Sequence, residues 1–213
     1  KYESDLNEIS DEVDDFAVRL DTFSQQVNEF NNQKSTKPKS EEIEIEETTS
    51  CQRKEGDLPK RNKIVFNEIA WMGTKTSAND EWIELKNISG SQINLANWQI
   101  LDKDNQIKII FSSGEQLSAN GFYLLERTDD DSVPNVKADK IFTGAINDTD
   151  EALYLFNKNC ELEDEVLANP DWPAGDKNSK RTMERKSDLS WQTSANIGGT
   201  PKNENSSGRI EFF

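Results

Sequence analysis

From Lys63 to the region of Trp191 the apolar residues recur at every second position, in short runs each closed by a turn. No stretch among them is long enough for a crossover helix. Side chains alternate across a strand with a period of two, so this pattern commits the segment to strands joined by short connections. QIKIIF (106–111) is the cleanest run: Ile107, Ile109 and Phe111 share one face, Gln106, Lys108 and Ile110 the other. The further runs are KIVFNEIAW (63–71), EWIELKNI (81–88), QINLANWQIL (92–101), GFYLLER (121–127), EALYLFN (151–157), ELEDEVLA (161–168) and RTMERK (181–186), with a short piece near Trp191. Turn signals SGS (89–91), DKDN (102–105), SSGE (112–115), SANG (118–121) and NKNC (157–160) punctuate them. Without crossover helices the strands are expected to pair antiparallel. About seven to nine short strands with close turns predict an all-β sandwich around an aliphatic and aromatic core.

A different grammar governs residues 1–33. Tyr2, Leu6, Ile9, Val13, Phe16, Leu20, Phe23, Val27 and Phe30 follow an unbroken 4-3 spacing with no Pro or Gly between them. Such a heptad repeat predicts helices that supercoil, with Leu6, Val13, Leu20 and Val27 at one seam position and Ile9, Phe16, Phe23 and Phe30 at the other. A homo-oligomer held by this coiled coil is the first expectation, and an amphipathic helix lying on its own domain is the second. Residues 34–62 are Ser, Thr, Lys and Glu with two prolines, and read as an acidic, disordered linker. The expected organisation is a helix over 1–33, a linker over 34–62, a β-sandwich over 63–205 and a tail over 206–213.

The formal charge is −16, from 41 acids against 25 bases. Such a field repels a phosphate backbone, so nucleic acid is not an expected partner. The basic run KNSKRTMERK (177–186) reads as a solvated strand edge, the other reading being a local anion patch. Residues 1–50 hold 14 acids and 5 bases, −9 of the total, so most of the acidity precedes the strands. Histidine is absent, which removes Ser-His-Asp and Cys-His catalysis and all imidazole metal sites. Cys51 and Cys160 are too few for a thiolate cage; they either form one disulfide or stay unpaired. A bridge would favour an oxidising, extracytoplasmic setting. No run approaches the roughly 18 apolar residues of a membrane span. The chain opens on Lys1 rather than Met, which reads as a processed or excised piece.

Several stretches together resemble one family. NEIAWMG (67–73), NDEWIELKN (79–87) and INLANW (93–98) are similar to the lamin tail domain in its bacterial form. GFYLLERTDDDSVP (121–134), FTGAINDTDEALYLFN (142–157), EDEV (163–166), MER (183–185) and GTPKNEN (199–205) follow in the same order. The resemblance implies an immunoglobulin-like β-sandwich without catalytic residues or cofactor. Trp82, Ile83, Leu85 and Trp98 match the family's buried framework, and Asn67, Glu68, Glu84 and Asn87 its polar framework. The family follows a coiled-coil rod in nuclear lamins. In bacteria it accompanies exported or surface proteins, often hydrolases or nucleases.

Three sets of residues invite a functional reading. Glu68, Asp80, Glu81 and Glu84 stand beside Trp71 and Trp82, and paired acids can cleave glycosides. With 41 acids in the chain some nearness is expected anyway, and the framework reading is preferred. Asp129, Asp130 and Asp131, and Asp148 with Asp150 and Glu151, are oxygen clusters of the kind calcium takes, with solvated turns as the bland alternative. DKDNQI (102–107) begins like an EF-hand but has Ile107 where Gly is required. Trp71, Met72 and Trp172 are a candidate ligand surface for a sugar or peptide, the alternative being a seal at the bottom of the sandwich. The expected function is a non-enzymatic structural or interaction module on an oligomerising stalk, for positioning or adhesion at a bacterial cell surface. The runner-up is an accessory glycan- or protein-binding domain of a larger exported hydrolase or nuclease.

Overall fold

A computed structural model describes residues 19–27 and 50–207. The chain divides into two compact units, residues 1–47 and 48–213. In the first, residues 19–27 are helical, with Leu20, Phe23 and Val27 exposed. The remaining seam residues Leu6, Ile9, Val13, Phe16 and Phe30 lie outside the described residues.

The second unit is built from strands β1 (Ile64–Ala70), β2 (Trp82–Asn87), β3 (Ile93–Asn94), β4 (Gln99–Asp102), β5 (Lys108–Ile110), β6 (Gln116–Leu117), β7 (Phe122–Arg127), β8 (Lys140–Phe142), β9 (Ala152–Phe156), β10 (Leu162–Leu167), β11 (Arg181–Arg185) and β12 (Trp191–Ile197). They form a six-stranded sheet, β12-β11-β1-β2-β7-β8, a four-stranded sheet, β10-β9-β4-β5, and a ribbon, β3-β6. Ile69 pairs with Ile83 and Met183, and Ile83 with Leu125, so one apolar row crosses four strands of the larger sheet. This face packs on Ile100, Ile109, Leu153, Leu155 and Val166 of the smaller sheet. Each such side chain stabilises the sandwich by roughly 1.5–3 kcal/mol relative to exposure. Ile107, Ile109 and Phe111 are all buried, as their alternation predicts.

Three features depart from the expectation. The run 92–101 is broken in two at Asn97, whose φ is 64°, so β3 joins β6 while β4 enters the smaller sheet. The strands are not all antiparallel: β8 pairs with β7 in parallel, Glu126 opposite Ile141. The connection over residues 128–139 makes this return without a helix. It packs Val133 and Val136 on Trp82 and Leu124, on the face of the large sheet away from the main core. Finally, residues 50–62 do not hang free as part of a linker. Cys51 is buried with Leu101, Phe156 and Leu162, and is disulfide-bonded to Cys160. The Lys60 and Arg61 amides donate to the carbonyls of Leu162 and Glu163 at 3.1 and 2.7 Å, covering the open edge of β10. Backbone supplies these bonds, so polar composition leaves no trace of them.

Asp164 then ties this segment to both sheets. It accepts from Arg61 Nε at 2.7 Å and from the Phe66 amide at 2.9 Å, and it pairs with Arg185. The Arg185 guanidinium in turn lies 3.8 Å from the Trp191 ring centroid. Asp164 of EDEV and the arginine of MER are thus one buried pair, hydrogen-bonded as burial demands.

Candidate functional site

The opening acids of the sequence come together on the outer face of the large sheet. A residue two positions along a strand returns to the same face, so Glu68 and Ala70 face outward while Ile69 faces the core. Glu84 and Glu184 are the cross-strand partners of Glu68, one on either side. All three glutamates are fully buried, because the closing segment 198–207 lies over them. The Thr200 amide donates to Glu68 Oε1 and Oε2 at 3.0 and 3.1 Å, and the Thr182 hydroxyl donates to Oε1. The Lys202 amide donates to Glu84 Oε2, and Asn67 Nδ2 reaches Glu84 Oε1 at 2.7 Å. Ser206 donates amide and hydroxyl to Glu184 Oε2, which also accepts from Gln192 Nε2 at 3.2 Å. Asn205 stitches the strap to Asn67 and to the Arg185 carbonyl, the latter at 2.7 Å. Gly199 has φ +80° and its neighbour Gly198 +75°, and a Cβ at Gly199 would strike the Glu68 carboxyl and the Thr182 hydroxyl.

Burial pushes the Glu68 carboxyl up to about 8, and the neighbouring Glu184 and Glu84 add to this against the Thr182 and Thr200 hydrogen bonds. Glu84 is pushed up to about 7 by the same loss of water, opposed by Lys202 and Asn67. The hydrogen-bond geometry agrees independently. The Thr200 hydroxyl lies 3.0 Å from both Glu68 Oε2 and Glu184 Oε1 but has one proton to give. Both contacts are satisfied when one carboxyl is protonated and donates. Glu68 is the carboxyl that burial raises furthest, so the proton is assigned to it. A protonated acid sealed under a strap has no route to a substrate. The row acts as a clamp on the closing segment.

The sequence profile of the Lamin Tail Domain matches residues 58–169, more than half of the chain. The chain belongs to the lamin tail domain family. No match was found among curated proteins. The framework residues of this lamin tail domain have definite roles. Trp82, Ile83, Leu85 and Trp98 are buried. Asn87 Nδ2 donates to the carbonyls of Ser91, Leu117 and Ser118 at 2.7, 3.1 and 2.9 Å, closing the turns around the β3-β6 ribbon. The match begins at residue 58, within the segment that covers β10.

The other candidate residues fare differently. Trp71, Met72 and Trp172 are brought together, but they do not form a surface: they are 9%, 2% and 7% exposed and belong to the main core. The two indoles stack with centroids 6.4 Å apart. Trp71 Nε1 donates to the Ala174 carbonyl and Trp172 Nε1 to the Asn147 carbonyl, so neither polar edge is left over. Glu81 is separate from the glutamate row, paired with Arg127 at 2.9 Å and accepting the Ile146 amide. Asp80 caps a turn through the Thr74 hydroxyl. Asp129, Asp130 and Glu151 accept amides of their own loops, and Asp148 pairs with Lys177. Among the described residues no three acids or thiols converge as a metal site would require. The basic run 177–186 is drawn inward at Arg181, on the Ser194 and Ala195 carbonyls, and at Arg185. Glu184 and the strap residues Thr200, Lys202 and Ser206 were not singled out by sequence as partners of Glu68. Their one signal is that MER and GTPKNEN each belong to the family pattern.

Proposed function

We propose that this protein is a non-catalytic positioning module, in which a lamin-tail sandwich is presented by a self-associating helical stalk at a bacterial cell surface. The observation that carries the proposal is the helix 19–27, where three consecutive seam residues, Leu20, Phe23 and Val27, are 56%, 66% and 42% exposed. An apolar stripe of this spacing is stabilised when a second helix covers it. Association would then multiply whatever weak contacts each sandwich makes. The sealed glutamate row supports the non-catalytic part, because its acids serve the strap. The Cys51–Cys160 bridge supports an extracytoplasmic location, where disulfides persist. Light-scattering mass of the full chain beside L20S/F23S tests it: an oligomer that becomes monomeric on substitution is expected, and equal monomeric masses would overturn the stalk.

A second reading, an accessory binding domain of a larger exported hydrolase or nuclease, is favoured by one observation. A cleft of about 450 Å³ opens on the outer face of the large sheet, beside the strap.

A further inference from the structure

The cleft lies between the 73–80 loop, the 129–134 loop and the turn at Ile197 and Gly198. Its floor is Ala70 and Trp82, cross-strand partners on β1 and β2, with Val133 beside them. Glu126 is the next residue in that row, opposite Trp82 on β7. It is fully buried, and its Oε2 accepts the amides of Ser132 and Val133 at 2.9 and 3.4 Å. Its other oxygen, Oε1, has no partner among the described residues, and neither has the hydroxyl of Ser132, which lines the cleft and is 3% exposed. Ser132 lines the cleft, and Glu126 lies behind it, joined to it through the Ser132 amide; buried polar atoms without partners are uncommon, because each such group costs about 1–3 kcal/mol. The remaining wall there carries Asp129 and Asp131.

We infer that this cleft is a binding site for a basic side chain, the ammonium or guanidinium of a lysine or arginine presented by a partner protein. The apolar floor suits the methylene stem of such a side chain, and the indole of Trp82 suits its cationic head. Glu126 Oε1 and Ser132 Oγ are acceptors in want of donors, and a cation brings only donors. The two aspartates at the rim complete an anionic end of the cleft. Lys75 and Lys180 also line it, and Lys180 Nζ is committed to the Met72 carbonyl at 2.7 Å. Burial pushes the Glu126 carboxyl up to about 7, with Asp130 and Asp129 adding to it. A bound cation would pull it back down, so binding tightens as pH rises through that value. The site is independent of the stalk, and its test reads neither mass nor assembly.

The test titrates the full chain, labelled with ¹⁵N, with three blocked tripeptides, Gly-Lys-Gly, Gly-Arg-Gly and Gly-norleucine-Gly, and with maltose. Expected are saturable shifts of the Ala70, Ser132, Val133 and Gly198 amides with the two basic peptides only, in the millimolar range and at least threefold tighter at pH 8 than at pH 6. E126Q should weaken that binding about tenfold and abolish its pH dependence, while S132A should weaken it about threefold with the fold intact by amide spectrum. Shifts shared by the norleucine peptide, shifts with maltose alone, unchanged affinity in E126Q, or no shifts at 20 mM would each overturn the proposal.

Discussion

Glu68→Gln tests the clamp most directly, because it removes the ionisable group while keeping the shape. Glu68 titrates at about 8 in the folded protein against 4.5 in the unfolded chain, so between those values the folded state holds a proton that the unfolded state releases. The sign follows. Below 4.5 the carboxyl is neutral in both states and exacts no penalty, and as pH rises to 8 the folded state is progressively destabilised. At about 1.4 kcal/mol per unit, a shift from 4.5 to about 8 amounts to roughly 5 kcal/mol lost across the interval. Glutamine is neutral throughout and can still accept from Thr182 and Thr200.

Urea unfolding of wild type and E68Q at pH 5, 6.5 and 8.5 reads the difference. At pH 5 the two midpoints should nearly coincide. At pH 8.5 the variant should be the more stable by several kcal/mol, about 2 M in midpoint at a typical slope of about 2 kcal/mol per molar urea. Using the difference between two chains cancels the pH response of acids remote from Glu68. A variant that is less stable than wild type by the same amount at every pH would refute the reasoning. It would mean that an ionised Glu68, held by its three donors, is what secures the strap.

Two further outcomes follow from the geometry. C51A/C160A should lower the unfolding free energy by about 5 kcal/mol, since the bridge closes a loop of 109 residues, and reduction of the wild type should match it in the same urea assay. Gly175→Ala should disturb the stacked tryptophans, because its φ is +97° and a Cβ would lie 2.6 Å from Trp71 Nε1. Loss of near-ultraviolet circular dichroism and a fall of about 3 kcal/mol in stability are expected, and an unchanged spectrum would speak against it.

What could be read from the sequence was whatever depends on near neighbours. The alternation of Ile107, Ile109 and Phe111 is local, whereas the burial of Trp82, Ile83 and Leu85 is legible only through the family resemblance. The glutamate row is not local. Glu68 meets Glu84 across a hairpin and Glu184 across 116 positions, and only strand register decides that they share a row. Alternation even misleads here: NEIA looks half-solvated, yet every residue of β1 is buried, because strap and smaller sheet cover both faces. Trp71, Met72 and Trp172 read as a ligand surface and are core instead, because an indole near a strand end gives no sign of which side it faces. Glu126 and Ser132 sit in ERTDDDSV (126–133), where composition suggests a wet loop, and Val133 folds back there onto Trp82. Strand β8 has three residues and a parallel partner, too little for a periodic signal.

The strap offers a second way to remove the Glu68 penalty, and comparing the two isolates its cause. A chain ending at Gly198 lacks Thr200, Lys202, Asn205 and Ser206, and with them the partners of all three glutamates. Water then reaches all three glutamates, and the carboxyls of Glu68 and Glu84 return toward ordinary values, since desolvation is the largest cause of their rise. The loss of stability between pH 5 and 8.5 should therefore flatten, as is expected of E68Q. At pH 5, however, the two should part. E68Q keeps the strap and its contacts, whereas the truncated chain gives them up and should be less stable than wild type by about 2–4 kcal/mol, the scale of several lost hydrogen bonds. A truncated chain that keeps the wild-type pH slope would show that the acids, and not the water excluded by the strap, set the penalty. A flattened slope would identify the closing GTPKNENS as the element that turns three surface glutamates into a second core.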